Sequence, residues 1–296
     1  MFAKAYEMAS RFTLPVIVSN RFYDETITSG LGSFIIINKE GWILTVAHLF
    51  RSKIKSENDL SEIRKFNEDK EKIINDPSLM DHQKKKKIKK LEESSIKQKW
   101  ITNNSIWWGA DDFRIEKFEI NKELDLATGQ IKNFDPGRVT GYPVFRDPGT
   151  LKHGTSLCKL GFPFHKVEST FDAVKNSFIL APNVLPIPRF PLDGIFTRTI
   201  ESGKTKDGRF DIRLIETSSP GLMGQSGGPV FDVDGNVWAI QSRTMHISLG
   251  FEPSIKKQGK DVTENQFLNI GLGVHVQCIL QFLDSLKIEY AISGKV

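Results

Sequence analysis

Along most of the chain, apolar residues alternate with polar ones or form short runs, as they do in β-strands. In the first half, the strand-like runs are residues 13–19, 32–38, 41–47, 105–108, 112–120 and 125–131. In the second half, they are residues 156–162, 194–200, 210–217, 230–242 and 267–276. Lys39-Glu40-Gly41 and Asp234-Gly235 lie between apolar stretches and are typical of hairpin turns. The pattern therefore predicts a chain built mainly of strands.

The segment from about residue 52 to residue 105 interrupts this pattern. Lys, Glu and Asn dominate it, and its apolar residues recur at the three- and four-residue spacing of a helix. These apolar positions are Leu60, Ile63, Phe66, Ile88 and Leu91. Asn75-Asp76-Pro77 breaks the segment in the middle, because proline disrupts a helix interior. We therefore predict an inserted helical hairpin.

A linker divides the chain into two strand-rich halves. We expect an N-terminal β-barrel over residues 1–131, which contains the insertion, and a C-terminal β-barrel over residues 150–296. Residues 132–149, with several glycines and prolines, connect them. From Val276 onward the apolar residues take helical spacing, so a terminal helix is predicted. Two all-β halves favour a double barrel or sandwich over an α/β fold.

The net charge of +5 does not indicate nucleic-acid binding, because of where the charge lies. Residues 51–102 hold 15 Lys and Arg against 10 Asp and Glu, so this segment carries the whole excess and the remainder is neutral. We interpret its densest run, Lys84 to Lys90, as the solvated face of a helix rather than as a binding surface. Nucleic acid is therefore not an expected partner.

Composition favours a soluble globular protein, with 39% hydrophobic and 26% charged residues. No run of 18 apolar residues occurs, so no membrane span is expected. The first residues lack the apolar block and cleavage site of a secretory signal, which favours the cytoplasm. Cys158 and Cys278 fit no zinc spacing and are expected to be reduced. With no clustered ligand set and no phosphate loop, neither a metal nor another cofactor is expected.

The stretch GLMGQSGGPV, residues 221–230, surrounds Ser226 with four glycines and a proline. A serine hydroxyl is a weak nucleophile and needs a base, usually a histidine that a carboxylate orients. The stretch also satisfies the G-x-S-x-G motif of α/β-hydrolases. That motif needs a helix directly after the serine, whereas here Gly-Gly-Pro leads into a predicted hairpin. The sequence thus argues for a nucleophile of another class.

Two other short motifs supply candidates for the base and the carboxylate. His48 follows a buried-looking run in TVAH, so we expect it to end a strand with its ring reaching a cleft. Asp125 stands between two leucines, and a lone carboxylate is costly to bury unless it is hydrogen-bonded, so we expect it to have a partner. Taken singly, the glycine-rich loop around Ser226, which we call the serine loop, also fits a tight turn. His48 alone also fits a core histidine. Together, in the order His, Asp, Ser, the motifs favour catalysis.

The motifs TVAH, LDLA and GQSGGPV, in this order, resemble the three catalytic motifs of chymotrypsin-fold serine peptidases. The closer resemblance is to the bacterial HtrA/Deg-like branch, through GLGSFIIINKEGWILTVAH, LKHGTSLCKLGFPF, ETSSPGLMGQSGGPV and NIGLGVHV. It covers most of the chain outside the 52–105 insertion. The resemblance implies an all-β fold of two six-stranded antiparallel β-barrels, with a C-terminal helix and the inserted helical hairpin. No PDZ-like extension is expected after the peptidase part.

The resemblance also implies the role of each candidate residue. His48 is the general base, Asp125 holds its tautomer, and Ser226 is the nucleophile. The backbone N–H groups of Gly224 and Ser226 form an oxyanion hole, where losing one donor typically costs roughly 3 to 4 kcal/mol of transition-state stabilisation. Ser242 lies where family members carry a serine that hydrogen-bonds the catalytic aspartate.

Two positions depart from known relatives. Zymogen-type relatives carry an Asp before the catalytic serine; Gln225 stands here, so activation by a newly cut N-terminus is not expected. Trypsin-like enzymes carry an Asp six residues before the catalytic serine; Pro220 stands here, so basic side chains are not the expected targets. Pro220, Arg243 and Thr244 are the candidate substrate pocket. A small or apolar substrate side chain is our default expectation, while Arg243 could receive an acidic one or point to solvent.

These features predict a cytoplasmic serine endopeptidase that cuts protein or peptide substrates through an acyl-enzyme. Its activity needs some control, and the 52–105 insertion, which starts four residues after His48, is the candidate dock for an activating protein partner. The alternative is a latent or non-catalytic binding module with a peptidase fold, which uses the same basic insertion to dock its partner.

Overall fold

The computed structural model describes residues 1–251, 253–257, 260–263 and 266–293. Its helices are α1 (Ala3–Ser10), α2 (Arg51–Ile74), α3 (Asp81–Ser95) and α4 (Val276–Ser285), with short 3₁₀-helices at Ala47–Phe50, Pro136–Arg138 and Pro148–Thr150. The strands up to residue 131 are β1 (Thr13–Phe22), β2 (Ile27–Ile36), β3 (Trp42–Thr45), β4 (Ile101–Trp107), β5 (Ile115–Asn121) and β6 (Leu126–Ile131). The later strands are β7 (Val144–Phe145), β8 (Ser156–Gly161), β9 (Ser169–Asp172), β10 (Ser177–Leu180), β11 (Phe190–Lys204), β12 (Asp211–Thr217), β13 (Pro229–Phe231), β14 (Asn236–Ser248), β15 (Ser254–Lys257), β16 (Lys260–Thr263), β17 (Phe267–His275) and β18 (Ala291–Ile292).

The first six strands form one antiparallel sheet in the order β4-β1-β2-β3-β6-β5. Apolar side chains of this sheet, among them Val16, Phe34 and Ile36, are fully buried in a shared core. Trp108, just beyond β4, packs edge-on against Phe34 with ring centroids 5.4 Å apart. Fully burying one such side chain contributes about 2 kcal/mol, so this apolar layer is what holds the sheet together.

The second large sheet contains a ring of six antiparallel strands, β13-β8-β11-β12-β17-β14, which is closed because β13 also pairs with β14. The two-residue strands β7 and β18 extend the sheet beyond β14 in parallel orientation. The predicted all-β fold, with two six-stranded antiparallel barrels, an inserted helical hairpin and a terminal helix, is confirmed. The sequence pattern did not predict β7 and β18, because two residues are too short to show an alternation.

The inserted hairpin is shorter than predicted. α2 and α3 are separated at the Asn75-Asp76-Pro77 break, and α3 ends at Ser95. β4 already begins at Ile101, so the helical segment does not reach residue 105. The reason is that residues 101–105 pair with β1, which overrides their polar composition.

The base of the hairpin is packed against the first sheet, and its distal part is not. The Ile101 N–H donates to Asp59 Oδ2 at 2.7 Å, and Phe66 lies against Trp100 with ring centroids 6.3 Å apart. By contrast, no residue of α3 is buried. The part of α2 near the base of the hairpin is therefore packed against the first sheet, whereas α3 lies on the surface.

Three short elements were not predicted. They are α1 and the hairpins β9–β10 and β15–β16. The buried residues of α1 are Ala5 and Ala9, and alanine gives too weak a hydrophobic contrast to reveal a periodicity.

Among the described residues, no helix is both long and apolar enough to cross a membrane.

A lysine lies within the second sheet. Lys159 of β8 is 1% exposed, and its Nζ donates to Ser219 O at 2.6 Å, Ser219 Oγ at 2.7 Å and Pro220 O at 3.0 Å. Burial lowers the pKa of Lys159 to about 8, although Cys158 and Asp193 act in the opposite direction. An ammonium is costly to bury unless it is hydrogen-bonded, so the three contacts offset that cost and hold Ser219 and Pro220 in place.

Lys159 makes stability depend on pH in a defined direction. Its pKa is about 8 in the folded protein and about 10.4 in an unfolded chain, so the unfolded chain binds more protons between these values. Relative to Lys159→Met, the free energy of unfolding of the wild type should therefore rise by about 2 kcal/mol between neutral pH and pH ~10. Urea unfolding of both proteins at the two pH values measures this difference.

The control is Lys152→Met, which removes an exposed lysine and should keep the wild-type pH dependence. If wild type and Lys159→Met change in parallel with pH, the lowered pKa of Lys159 is wrong.

Candidate active site

His48 lies in the turn between β3 and the inserted hairpin. β3 ends at Thr45, Val46 is extended, and Ala47–Phe50 form a 3₁₀-helix that leads into α2. The expectation that His48 ends a strand is therefore wrong, because the pairing of β3 with β6 stops at Thr45. The 3₁₀-turn instead places the half-buried His48 ring beside Asp125.

Asp125 immediately precedes β6, and the leucines on both sides of it are buried. Its φ of 57° lies in the left-handed region, which costs a non-glycine residue of order 1 kcal/mol. The carboxylate accepts the His48 backbone N–H on Oδ1 at 2.9 Å and the Ser242 hydroxyl on Oδ2 at 2.6 Å. These hydrogen bonds hold Asp125 in its strained conformation and join it to β14 of the other sheet.

The His48 ring faces the same carboxylate through Nδ1, which is 2.9 Å from Oδ2 and 3.2 Å from Oδ1. An ionised carboxylate only accepts hydrogen bonds, so Nδ1 carries the proton and neutral His48 keeps a free lone pair on Nε2. Burial raises the pKa of Asp125, but the hydrogen bonds and charge of His48 and the hydrogen bond of Ser242 outweigh it and hold this pKa below its usual value. An ionised Asp125 therefore fixes the tautomer of His48.

The backbone of Ser226 is held by both sheets. Its carbonyl oxygen accepts the Ser33 N–H of β2 at 2.7 Å, and the neighbouring Gly227 N–H donates to Gln241 O of β14 at 2.8 Å. Gly227 has a φ of 88°, and a Cβ there would lie 2.0 Å from Ser33 O. No other residue fits at this position, so the glycine after the serine is required by the close approach of β2.

The Ser226 hydroxyl donates to the carbonyl oxygen of Ser242 at 3.3 Å. In the described ranges, no hydrogen bond joins this hydroxyl to the His48 ring. Hydrogen bonds between a nucleophile and its base are often long or poorly aligned before substrate binds. Ser242 thus contacts two of the three candidate catalytic residues. Its hydroxyl donates to Asp125, and its carbonyl oxygen accepts from Ser226.

The two predicted oxyanion-hole donors lie on the same loop. Gly224 has a φ of 97°, and a Cβ there would lie 2.4 Å from Phe162 O. Its carbonyl oxygen is turned to the protein, where it accepts from Phe162 N at 3.0 Å and Ser33 Oγ at 2.7 Å. Neither the Gly224 N–H nor the Ser226 N–H donates to an acceptor within the described residues. Both N–H groups are therefore unpaired among the described residues.

Gln225, the residue that replaces the zymogen-type Asp, is fully buried between these two donors. Its Oε1 accepts the Leu222 N–H at 3.0 Å, and its Nε2 donates to Phe190 O at 3.4 Å. Together with the contacts of Lys159 to Ser219 and Pro220, these bonds hold the loop before Ser226 without a charged N-terminus.

The three candidate pocket residues line one cleft of about 470 Å³ that also contains Ser226. Pro220 stands at the start of the serine loop, and Arg243 and Thr244 stand on β14. The Thr244 hydroxyl donates to Gly221 O, which ties the strand to the loop. The cleft has no carboxylate among its described lining residues.

Sequence reasoning missed four residues that shape this site. They are Ser33, Lys159, Phe162 and Gln241. Each belongs to a different segment from the serine loop and reaches it only because the sheets bring the segments together. A lysine inside the apolar run SLCKLGF was the one visible signal, since a lone charge in such a run needs a buried partner.

Within the described ranges, no group of three or more His, Cys, Asp and Glu side chains could hold a metal. Cys158 and Cys278 are both buried free thiols. Burial raises the pKa of Cys158 to about 12, which keeps its thiol protonated and unreactive.

Comparison with known proteins identifies a peptidase domain. The model of the trypsin-like peptidase domain matches residues 32–240, a span that includes His48, Asp125 and Ser226. No curated protein gives a significant match to the chain. Because the matched span covers more than half of the sequence, the chain belongs to the trypsin-like peptidase family.

Proposed function

We propose that this peptidase is a serine endopeptidase that uses Ser226, His48 and Asp125. The observation that supports it is the hydrogen-bonded series from Ser242 through Asp125 to His48 Nδ1, with the Ser226 hydroxyl bound to the same Ser242. This arrangement gives a base with a free Nε2 lone pair, and Ser242 links the carboxylate that orients this base to the Ser226 hydroxyl.

In the proposed mechanism, Ser226 Oγ attacks the carbonyl carbon of the scissile peptide bond while His48 Nε2 takes the hydroxyl proton. The resulting oxyanion binds the N–H groups of Gly224 and Ser226. The C–N bond then breaks, His48 gives its proton to the departing amine, and an ester to Ser226 remains. A water molecule, deprotonated by His48, hydrolyses that ester and restores the hydroxyl. Asp125 stays ionised and stabilises the charged His48 ring.

We also propose that the serine loop is formed at rest. The internal contacts of the loop support this view: Phe162 N and Ser33 Oγ bind the Gly224 carbonyl, and buried Gln225 binds the Leu222 N–H. The motifs quoted above support placement in the HtrA/Deg-like branch, and the two free thiols support a cytoplasmic location.

Covalent labelling tests the proposed nucleophile and base. A fluorophosphonate probe should label the purified full-length protein, because an activated serine attacks phosphorus as it attacks a carbonyl. Ser226→Ala and His48→Ala should show no labelling above background on a gel. His82→Ala is the matched control, since His82 is exposed on α3 and should leave labelling unchanged. Equal labelling of Ser226→Ala and wild type would rule out Ser226 as the nucleophile.

Ser242→Ala tests the hydrogen bond from Ser242 to the Asp125 carboxylate. It removes one hydrogen bond to a charged group, worth about 1.5 to 3 kcal/mol, so kcat should fall roughly 10- to 100-fold with little change in KM. Ser242→Thr keeps a hydroxyl and should recover part of the loss. Ser248→Ala, at the exposed end of the same strand, is the control. A kcat within twofold of wild type would show that Ser242 does not assist Asp125.

A second candidate function is partner docking through the insertion, and the surface position of α3 favours it. α3 buries no residue and carries the Lys84 to Lys90 run, while Lys70 Nζ and Glu92 Oε1, 2.8 Å apart, join it to α2. These features leave most of α3 available to another molecule.

Replacing residues 72–90 by a short Gly-Ser linker tests this role and keeps the base of the hairpin. If α3 docks an activator, an extract of the source cells should speed probe labelling of the full-length protein and not of the shortened one. If extract changes neither protein, or both equally, the distal hairpin is not a dock for an activator.

A further inference from the structure

A second cleft is lined by His48 and Asp125 and does not include Ser226. It encloses about 440 Å³, and one wall is the first two turns of α2, with Arg51, Ile54 and Lys55. Lys122, from the turn before Asp125, forms part of the opposite side. The start of the inserted hairpin therefore helps to form the active-site cleft.

Each of the two clefts shares lining residues with a third cavity. This cavity of about 320 Å³ shares His48, Arg51 and Lys122 with the α2 cleft, and it shares Ser242 and Arg243 with the Ser226 cleft. The three cavities thus share lining residues and together form one composite cleft that includes the proposed catalytic residues. We call it the catalytic groove.

The catalytic groove carries an excess of positive charge. Arg51, Lys122 and Arg243 are exposed, and none of them forms an ion pair with a carboxylate in the described residues. Lys55 is also there, but its Nζ already binds Asp59.

The carboxylates of the groove offset only part of this charge. Those that line it are Asp125 and Glu123. Asp125 accepts from His48 and Ser242, and Glu123 Oε2 accepts the Lys206 N–H at 2.7 Å, but these hydrogen bonds do not neutralise the carboxylates. Arg51, Lys122 and Arg243 outnumber them and come from three separate segments, so their convergence is a property of the fold.

A cleft lined by one sign of charge concentrates ligands of the opposite sign and raises their rate of association by roughly 10- to 1000-fold at low salt. Arginine also forms paired hydrogen bonds with carboxylates, which adds geometric selectivity. We propose that the catalytic groove takes acidic polypeptide segments, so that the peptidase cuts next to Asp or Glu residues and Arg51, Lys122 and Arg243 determine this preference. The inference rests on the proposed peptidase function and names its substrate class.

The experiment uses the full-length protein and a mixture of internally quenched peptides in matched pairs. The two members of a pair differ only in Glu or Gln at the positions flanking a common scissile bond, so they differ in charge and not in shape. We expect kcat/KM to be at least about tenfold higher for the Glu member at low ionic strength, and the ratio to fall as salt is added.

The triple variant Arg51→Gln, Lys122→Gln, Arg243→Gln should bring the Glu/Gln ratio close to one. The matched control is Lys4→Gln, Lys152→Gln, Lys175→Gln, which removes the same charge from exposed positions outside the groove and should keep the ratio. This comparison separates local charge in the groove from the net charge of the protein.

Each outcome decides the proposal. Cleavage with equal rates for both members, a preference for Gln, or a preference that survives in the groove triple variant overturns the acidic specificity while the peptidase function stands. If no peptide is cut and the fluorophosphonate probe does not react, the proposed function fails and this inference with it.

Discussion

The Asp125 carboxylate is the interaction on which the active-site geometry depends. It lies between buried leucines in a left-handed backbone conformation, and both features are unfavourable in isolation. Hydrogen bonds from His48, in the turn after β3, and from Ser242 of the second sheet offset these costs. A partly buried charge bound from both sides holds the two sheets in one relative position, because moving either one removes part of its hydrogen bonds.

The serine loop obeys a constraint of a different kind, which is steric. Gly224 and Gly227 adopt positive φ, and a side chain at either would collide with backbone oxygens of Phe162 and Ser33. The same close approach supplies the hydrogen bonds that hold the loop. Lys159 and Gln225 add buried polar contacts to the residues before Ser226. The loop is thus fixed by shape and by internal hydrogen bonds, and the N–H groups of Gly224 and Ser226 stay unpaired among the described residues.

The two ends of the inserted hairpin differ in how they are packed. Its base belongs to the fold, since Asp59 caps the start of β4 and Phe66 packs on Trp100. Its first turns also form a wall of the catalytic groove through Arg51 and Ile54. The distal helix α3 has no buried residue. The proposed substrate selection and partner docking therefore use opposite ends of the hairpin.

The sequence by itself determined the class of fold, the long strands, the helical insertion and the three motifs with His48, Asp125 and Ser226. These features are local: alternation, helical spacing and glycine-rich turns are visible within a few residues. It did not reveal α1, the two-residue strands, the turn that carries His48, or the true end of the insertion at β4. It also gave no sign that Arg51, Lys122 and Arg243 line one groove, or that Lys159 reaches Ser219. Only the tertiary structure decided these points. α1 and the two-residue strands carry too little local contrast to be seen, and the others depend on contacts between segments far apart in the chain, about which local periodicity carries no information.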